Sequence, residues 1–156
     1  MATGFGKNFT ACLILIAAAF TVAAAEKFTI RNEIRGAKGR DGILAVRCWS
    51  RDDKLGLHQI FPGQSRSWEF KLAVRFWPFA YTEFRCQFRT AFGTTQDENV
   101  VVFEDNEDFR LGCDKPKGQE CVWVAKRSGL YLRKKIVWFK ERHYEDVLKS
   151  KWVWGW

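Results

Sequence analysis

The eleven residues Cys48 to His58, CWSRDDKLGLH, bring together a thiol, two adjacent carboxylates and an imidazole. Three chemistries use such groups. A zinc site needs about four ligands, commonly Cys or His at short paired spacings. This chain has no C-x-x-C, and its two histidines, His58 and His143, are far apart in sequence. A calcium loop needs oxygen ligands at alternate positions and a bidentate acid, whereas Asp52 and Asp53 are adjacent and are followed by Lys54. A two-histidine ribonuclease would use one imidazole as base and the other as acid. His58 falls inside a short strand pattern and His143 in the distal tail, and neither has a recognisable catalytic neighbourhood. No G-x-S-x-G nucleophile motif occurs. The expectation is a protein without catalytic residues, metal or cofactor.

The same stretch reads more simply as strand, loop and strand. Cys48 closes an alternating segment. Arg51, Asp52, Asp53 and Lys54 make a charge-balanced connection, and Gly56 lets the chain turn back. Exposed loops on a rigid scaffold are where binding specificity usually lives. Arg51, Asp52, Asp53 and Lys54 are therefore the candidate partner-binding loop, with a second candidate in the irregular, charged segment from Asn106 to Glu120.

The elements that must hold these loops begin after residue 25. Lys7 is followed by ACLILIAAAFTVAAA, an apolar run of 15 residues, short of the roughly 20 that span a bilayer. Ala23 and Ala25 occupy the small-residue positions of an A-x-A cleavage site. Residues 1–25 read as a secretory signal peptide, with a mature chain from Glu26. Of five cysteines, Cys12 leaves with that leader. Cys48, Cys86, Cys113 and Cys121 remain, as expected of two disulfides in an extracellular chain. Three pairings are possible; Cys48 with Cys121 and Cys86 with Cys113 is the preferred one. All 18 acidic and 25 of the 26 basic residues follow residue 25, giving the mature chain a net charge of +7. Such a protein will tend to meet anionic surfaces.

The mature chain alternates as β-strands do. Leu44, Val46 and Cys48 share a face, as do Trp68, Phe70 and Leu72, and Phe84, Cys86 and Phe88; Glu83, Arg85, Gln87 and Arg89 take the opposite, wet side. Pro62-Gly63 marks a turn and Arg127-Ser128-Gly129 a hairpin. The fold class is all-β: a small, disulfide-bonded antiparallel β-sandwich of seven or eight strands over residues 26–135. Residues 136–156 behave differently. Ile136, Lys140, Tyr144, Val147, Leu148 and Lys151 recur near helical spacing, so a short helix or an irregular tail is expected there. WVWGW ends the chain with three Trp in five residues. Residues 126–135 hold five basic groups and form a candidate anion-binding patch.

The segment from Val46 to Phe70 resembles the plant self-incompatibility S1 family, the S-protein homologues. The matching residues are Cys48, Ser50, Asp52, Asp53, Leu55, Gly56, His58, Pro62-Gly63, Trp68 and Phe70. F-x-C-x-F at Phe84, Cys86 and Phe88 and C-V-W at Cys121 to Trp123 resemble later family motifs. Thr90 stands where members often carry Trp, and the tail beyond about residue 134 lies outside the resemblance. The resemblance implies a secreted, non-enzymatic β-sandwich. Its best-understood members are pistil ligands recognised by a pollen receptor in pollen rejection. The implied partner is a cell-surface receptor protein; the basic charge adds anionic surface contacts, and neither a nucleic-acid partner nor a membrane-spanning segment is expected. A rival is a basic secreted defence protein acting on membranes or cell wall through the basic hairpin and Trp-rich tail.

Overall fold

The computed structural model describes residues 25–36, 39–72, 81–106, 108–109, 112–113, 120–139 and 141–154. The expected leader, Ala25 aside, lies outside the described residues. Among the described residues no helix is long and apolar enough to cross a membrane.

Among the described residues eleven strands form: β1 Glu26–Asn32, β2 Leu44–Ser50, β3 Lys54–Ile60, β4 Ser65–Phe70, β5 Glu83–Thr90, β6 Gly93–Thr95, β7 Val100–Glu104, β8 Glu120–Lys126, β9 Gly129–Trp138, β10 Glu141–Ser150 and β11 Trp152–Val153. A first sheet runs β10-β9-β8-β1-β4. A second runs β11-β6-β5-β2-β3, with β7 also beside β5. Every pairing is antiparallel except β1 with β8, which are parallel. That exception follows from placing the first strand in the middle of its sheet, between β4 and β8.

The alternation seen in sequence is what the sheets bury. Leu44, Val46 and Cys48 face the core from β2, and Phe84, Cys86 and Phe88 from β5. Phe28 of β1 stacks on Trp68 at 5.0 Å between centroids and meets Phe84 of the opposite sheet at 5.4 Å. Full burial of such side chains contributes about 1.5–3 kcal/mol each. Two polar groups are placed within this core. The Trp123 indole N–H donates to the Val102 carbonyl at 2.8 Å. Asn32, fully buried, donates to the carbonyls of Gly42 and Ile60 and accepts from the Ile34 N–H.

Two expectations are corrected. The disulfides are Cys48–Cys86 and Cys113–Cys121, not Cys48–Cys121 and Cys86–Cys113. Cys48 stands directly opposite Cys86 in the β2–β5 register, with Cα atoms 4.1 Å apart, whereas Cys121 belongs to the other sheet. Cys113 and Cys121 close the short loop that leads into β8.

Nor does the tail form a helix. β9 runs on to Trp138 and β10 returns beside it. β8 pairs β9 only as far as Arg133, so beyond it the two strands make a ribbon without a third neighbour. Residues Glu141 to Glu145 are all exposed. A ribbon wet on both faces has no apolar alternation to announce it. At Ser150 to Trp152 the chain crosses from the first sheet to the second. A Cβ on Gly129 would lie 2.4 Å from the Ser150 carbonyl oxygen, and one on Gly93 2.2 Å from that of Val153. Both glycines have positive φ, so these close approaches require glycine.

Candidate functional site

Arg51, Asp52 and Asp53 form the turn between β2 and β3, and Lys54 begins β3. Ser50 fixes the turn twice: its N–H donates to the Asp53 carbonyl at 2.7 Å, and its hydroxyl accepts from the Asp53 N–H at 3.0 Å. A register shift beside Trp49 and a positive φ at Gly56 bend the hairpin. The four side chains are all exposed. Arg51 and Asp52 lie 3.8 Å apart at 78% and 86% exposure, a pairing that solvent leaves close to neutral in energy. Three residues below the turn, the Cys48–Cys86 bridge ties this hairpin to β5.

The groups that suggested chemistry therefore diverge. The Cys48 thiol is consumed in the disulfide. The His58 ring contacts the Leu55 carbonyl at 2.6 Å and sits 5.6 Å from the Trp68 ring, a structural placement. His143 lies on β10 beside Glu141, at 3.4 Å. β3 and β10 mark opposite edges of the sandwich, so the two histidines do not meet. Among the described residues no group of three or more His, Cys, Asp or Glu could hold a metal ion.

The second loop candidate, Asn106 to Glu120, falls largely outside the described residues. Within it the Asn106 side chain accepts from the Phe109 N–H at 2.7 Å, and Cys113 is bonded to Cys121.

Two of the basic groups of this hairpin, Lys126 and Arg133, are paired with carboxylates of neighbouring segments. Arg133 donates to Asp146 at 2.7 and 2.9 Å and to Glu33 at 3.1 Å. Lys126 meets Asp146 at 2.7 Å and the Tyr131 ring at 5.0 Å. The Arg133 hydrogen bond holds the Asp146 carboxyl down to about 2; burial opposes it, and the Lys126 hydrogen bond adds to the lowering. The same pairing raises Arg133 above the usual guanidinium range. Arg127 stands over the Phe92 ring at 5.3 Å. In the Trp-rich tail, Trp152 packs against the core and donates to the Lys126 carbonyl at 2.7 Å, while Trp154 is 73% exposed.

A further feature escaped sequence reasoning. On the outer face of the second sheet, Arg47 of β2 and Arg89 of β5 line one recess of about 500 Å³. Their outward alternation is visible in sequence; that β2 and β5 are neighbours is not.

The family model of plant self-incompatibility protein S1 matches residues 27–152, reaching well past the hairpin where the sequence motifs stop. S-protein homolog 13 of Arabidopsis thaliana is 46% identical over the full length of both chains. S-protein homolog 12 of the same plant is 34% identical over 93% of each chain, and S-protein homolog 27 is 28% identical over 86% of this chain and 88% of its own. No solved structure gives a significant match.

Proposed function

This chain belongs to the plant self-incompatibility S1 family, and on that premise we propose that it is a secreted, non-enzymatic protein ligand that binds a cell-surface protein in cell–cell signalling. The observation that carries the reading is the β2–β3 turn. Four exposed charges stand on a hairpin made rigid by the Ser50–Asp53 hydrogen bonds and the Cys48–Cys86 bridge. Preorganisation of that kind lowers the ordering cost of binding. Secretion is supported by the leader-like first 25 residues and by two disulfides, which persist in oxidising compartments.

The test is charge reversal at the turn. Asp52→Lys with Asp53→Lys should leave the melting curve within about 1 kcal/mol of the parent, because both side chains are exposed. Saturable binding of labelled protein to its target cells should weaken by about tenfold or more. Undiminished binding by the folded variant removes this loop from the site.

A further inference from the structure

The outer face of the second sheet presents a pattern that the loop does not use. Across its middle the register places Gln59, Ala45, Arg89 and Thr94 in one row. The next row holds Leu57, Arg47 and Gln87, and Gln87 is hydrogen-bonded to Asn99 at 3.4 Å. Side chains directly opposite in register share a face. Ala45 is small, so the space above it stays open. The result is a recess of about 500 Å³ whose wall includes Arg47 and Arg89. Both guanidinium groups are exposed, and neither has an ion-pair partner among the described residues. Glu98 at the rim is the one acid in the lining.

One register step along β2 lies Trp49, opposite Arg85 and Lys54. With Arg51 and Tyr81 it lines a second recess of about 180 Å³. Tyr81 is 57% exposed. Arg85 is partly neutralised there by its hydrogen bonds to Glu83. An arginine-lined recess and one lined by aromatic rings therefore follow each other along one sheet face.

We propose that this face binds a linear, carboxylate-bearing polysaccharide, with Arg47 and Arg89 holding carboxylates and Trp49 and Tyr81 lying against ring faces. A planar guanidinium matches a carboxylate in two-point geometry. Aromatic side chains combine an apolar surface with a polar edge, as a sugar ring requires of its partner. β2 and β5 are central strands whose backbone groups are spent on neighbours. A peptide that docks by adding a strand needs a free edge instead. Two hollows in line also do not suit a flat bilayer. The carboxylate-holding pair stands apart from the loop reading, since Arg47 and Arg89 lie outside Arg51–Lys54, while the second recess shares Arg51 with that loop.

The experiment titrates the oxidised, folded protein with a defined oligogalacturonate, and in parallel with a neutral glucan, an acidic peptide and anionic phospholipid vesicles. Amide shifts are followed by NMR. Saturable shifts on β2 and β5 with the polyuronate alone are expected, weakening as salt rises. Arg47→Gln with Arg89→Gln should weaken binding by about tenfold or more. Arg142→Gln with Lys149→Gln removes the same charge from β10 and should change it by less than about twofold. Equal loss in both variants means that net charge alone attaches the polymer, and overturns the proposal. So do shifts centred on another face, equal binding of any of the other three probes, or no binding. Because the shift map is read on the parent protein, a misfolded variant leaves the test intact.

Discussion

Replacing Asp146 with asparagine removes the charge at the centre of the β9–β10 pairing and keeps its shape. Asp146 is only 13% exposed, and it joins Arg133 of β9 to Lys126 of β8. Its carboxyl is held at about 2, down from 3.8. Each pKa unit corresponds to about 1.4 kcal/mol, so the shift represents about 2 kcal/mol of native-state stabilisation. Its sign is that of a depressed acid. The contribution is complete above the ordinary carboxylate value near 4, and is lost as pH falls from there through about 2. Arg133 retains Glu33 at 3.1 Å, which caps the damage by leaving the guanidinium partly paired. Urea unfolding of the parent and of Asp146→Asn, both oxidised, should differ by about 2 kcal/mol at pH 7 and pH 5, and should converge by pH 2. A gap that is the same at every pH would place the cost in packing, not charge. A gap below about 0.5 kcal/mol at pH 7 would make this an ordinary surface pair. Either result refutes the reasoning.

The two disulfides should contribute unequally. They span 38 and 8 residues, so loop-closure entropy gives about 4 kcal/mol for Cys48–Cys86 and about 2.5 kcal/mol for Cys113–Cys121. Paired Cys→Ala variants compared by denaturant midpoint check the order; the reverse order rejects the entropic account. At Asn32, the change Asn32→Asp sets a carboxylate against the carbonyls of Gly42 and Ile60. Burial against acceptors raises that acid, so its charged form opposes folding. The variant should lose about 3 kcal/mol or more at pH 7, and should recover part of the loss as pH falls below its raised folded pKa. A loss that does not shrink on acidification would contradict the assigned direction of the Asn32 amide.

Wherever a strand had one wet and one dry face, its residues declared it. Leu44, Val46 and Cys48, and Phe84, Cys86 and Phe88, are buried as their alternation predicts. The disulfide partners were illegible for a different reason. Alternation shows which way Cys48 and Cys86 point but not that β2 lies beside β5, and register is a property of the assembled sheet. The parallel placement of β1 beside β8 is likewise a fact of topology. In the tail, Ile136, Tyr144, Val147 and Leu148 mimic helical spacing because Glu141 to Glu145 are exposed on both faces of β10 and Ile136 and Val147 are only half-buried, so burial selects no period of two. The turn before Lys54 is legible from Asp52 and Asp53, while Gly56, read as letting the chain turn back, lies within β3 opposite Cys48. The Arg47–Arg89 recess was half legible: each arginine is visibly on a wet face, but only the pairing of their strands brings them together.

The order of strands within the first sheet has a consequence for biosynthesis. β1 precedes every other described strand, yet one of its two neighbours, β8, begins only at Glu120. Until then its β8-facing side is an unpaired edge, of the kind that invites association with other chains. Cys48 and Cys86 are both made by the time β5 is complete, so their bridge can form while the chain is half made. The second sheet is finished only when Trp152 and Val153 reach β6 over Gly93. Among the described strands, β6 therefore waits for β11, made long after β6 itself. A nascent chain thus carries β1 with one neighbour missing until β8 has been made.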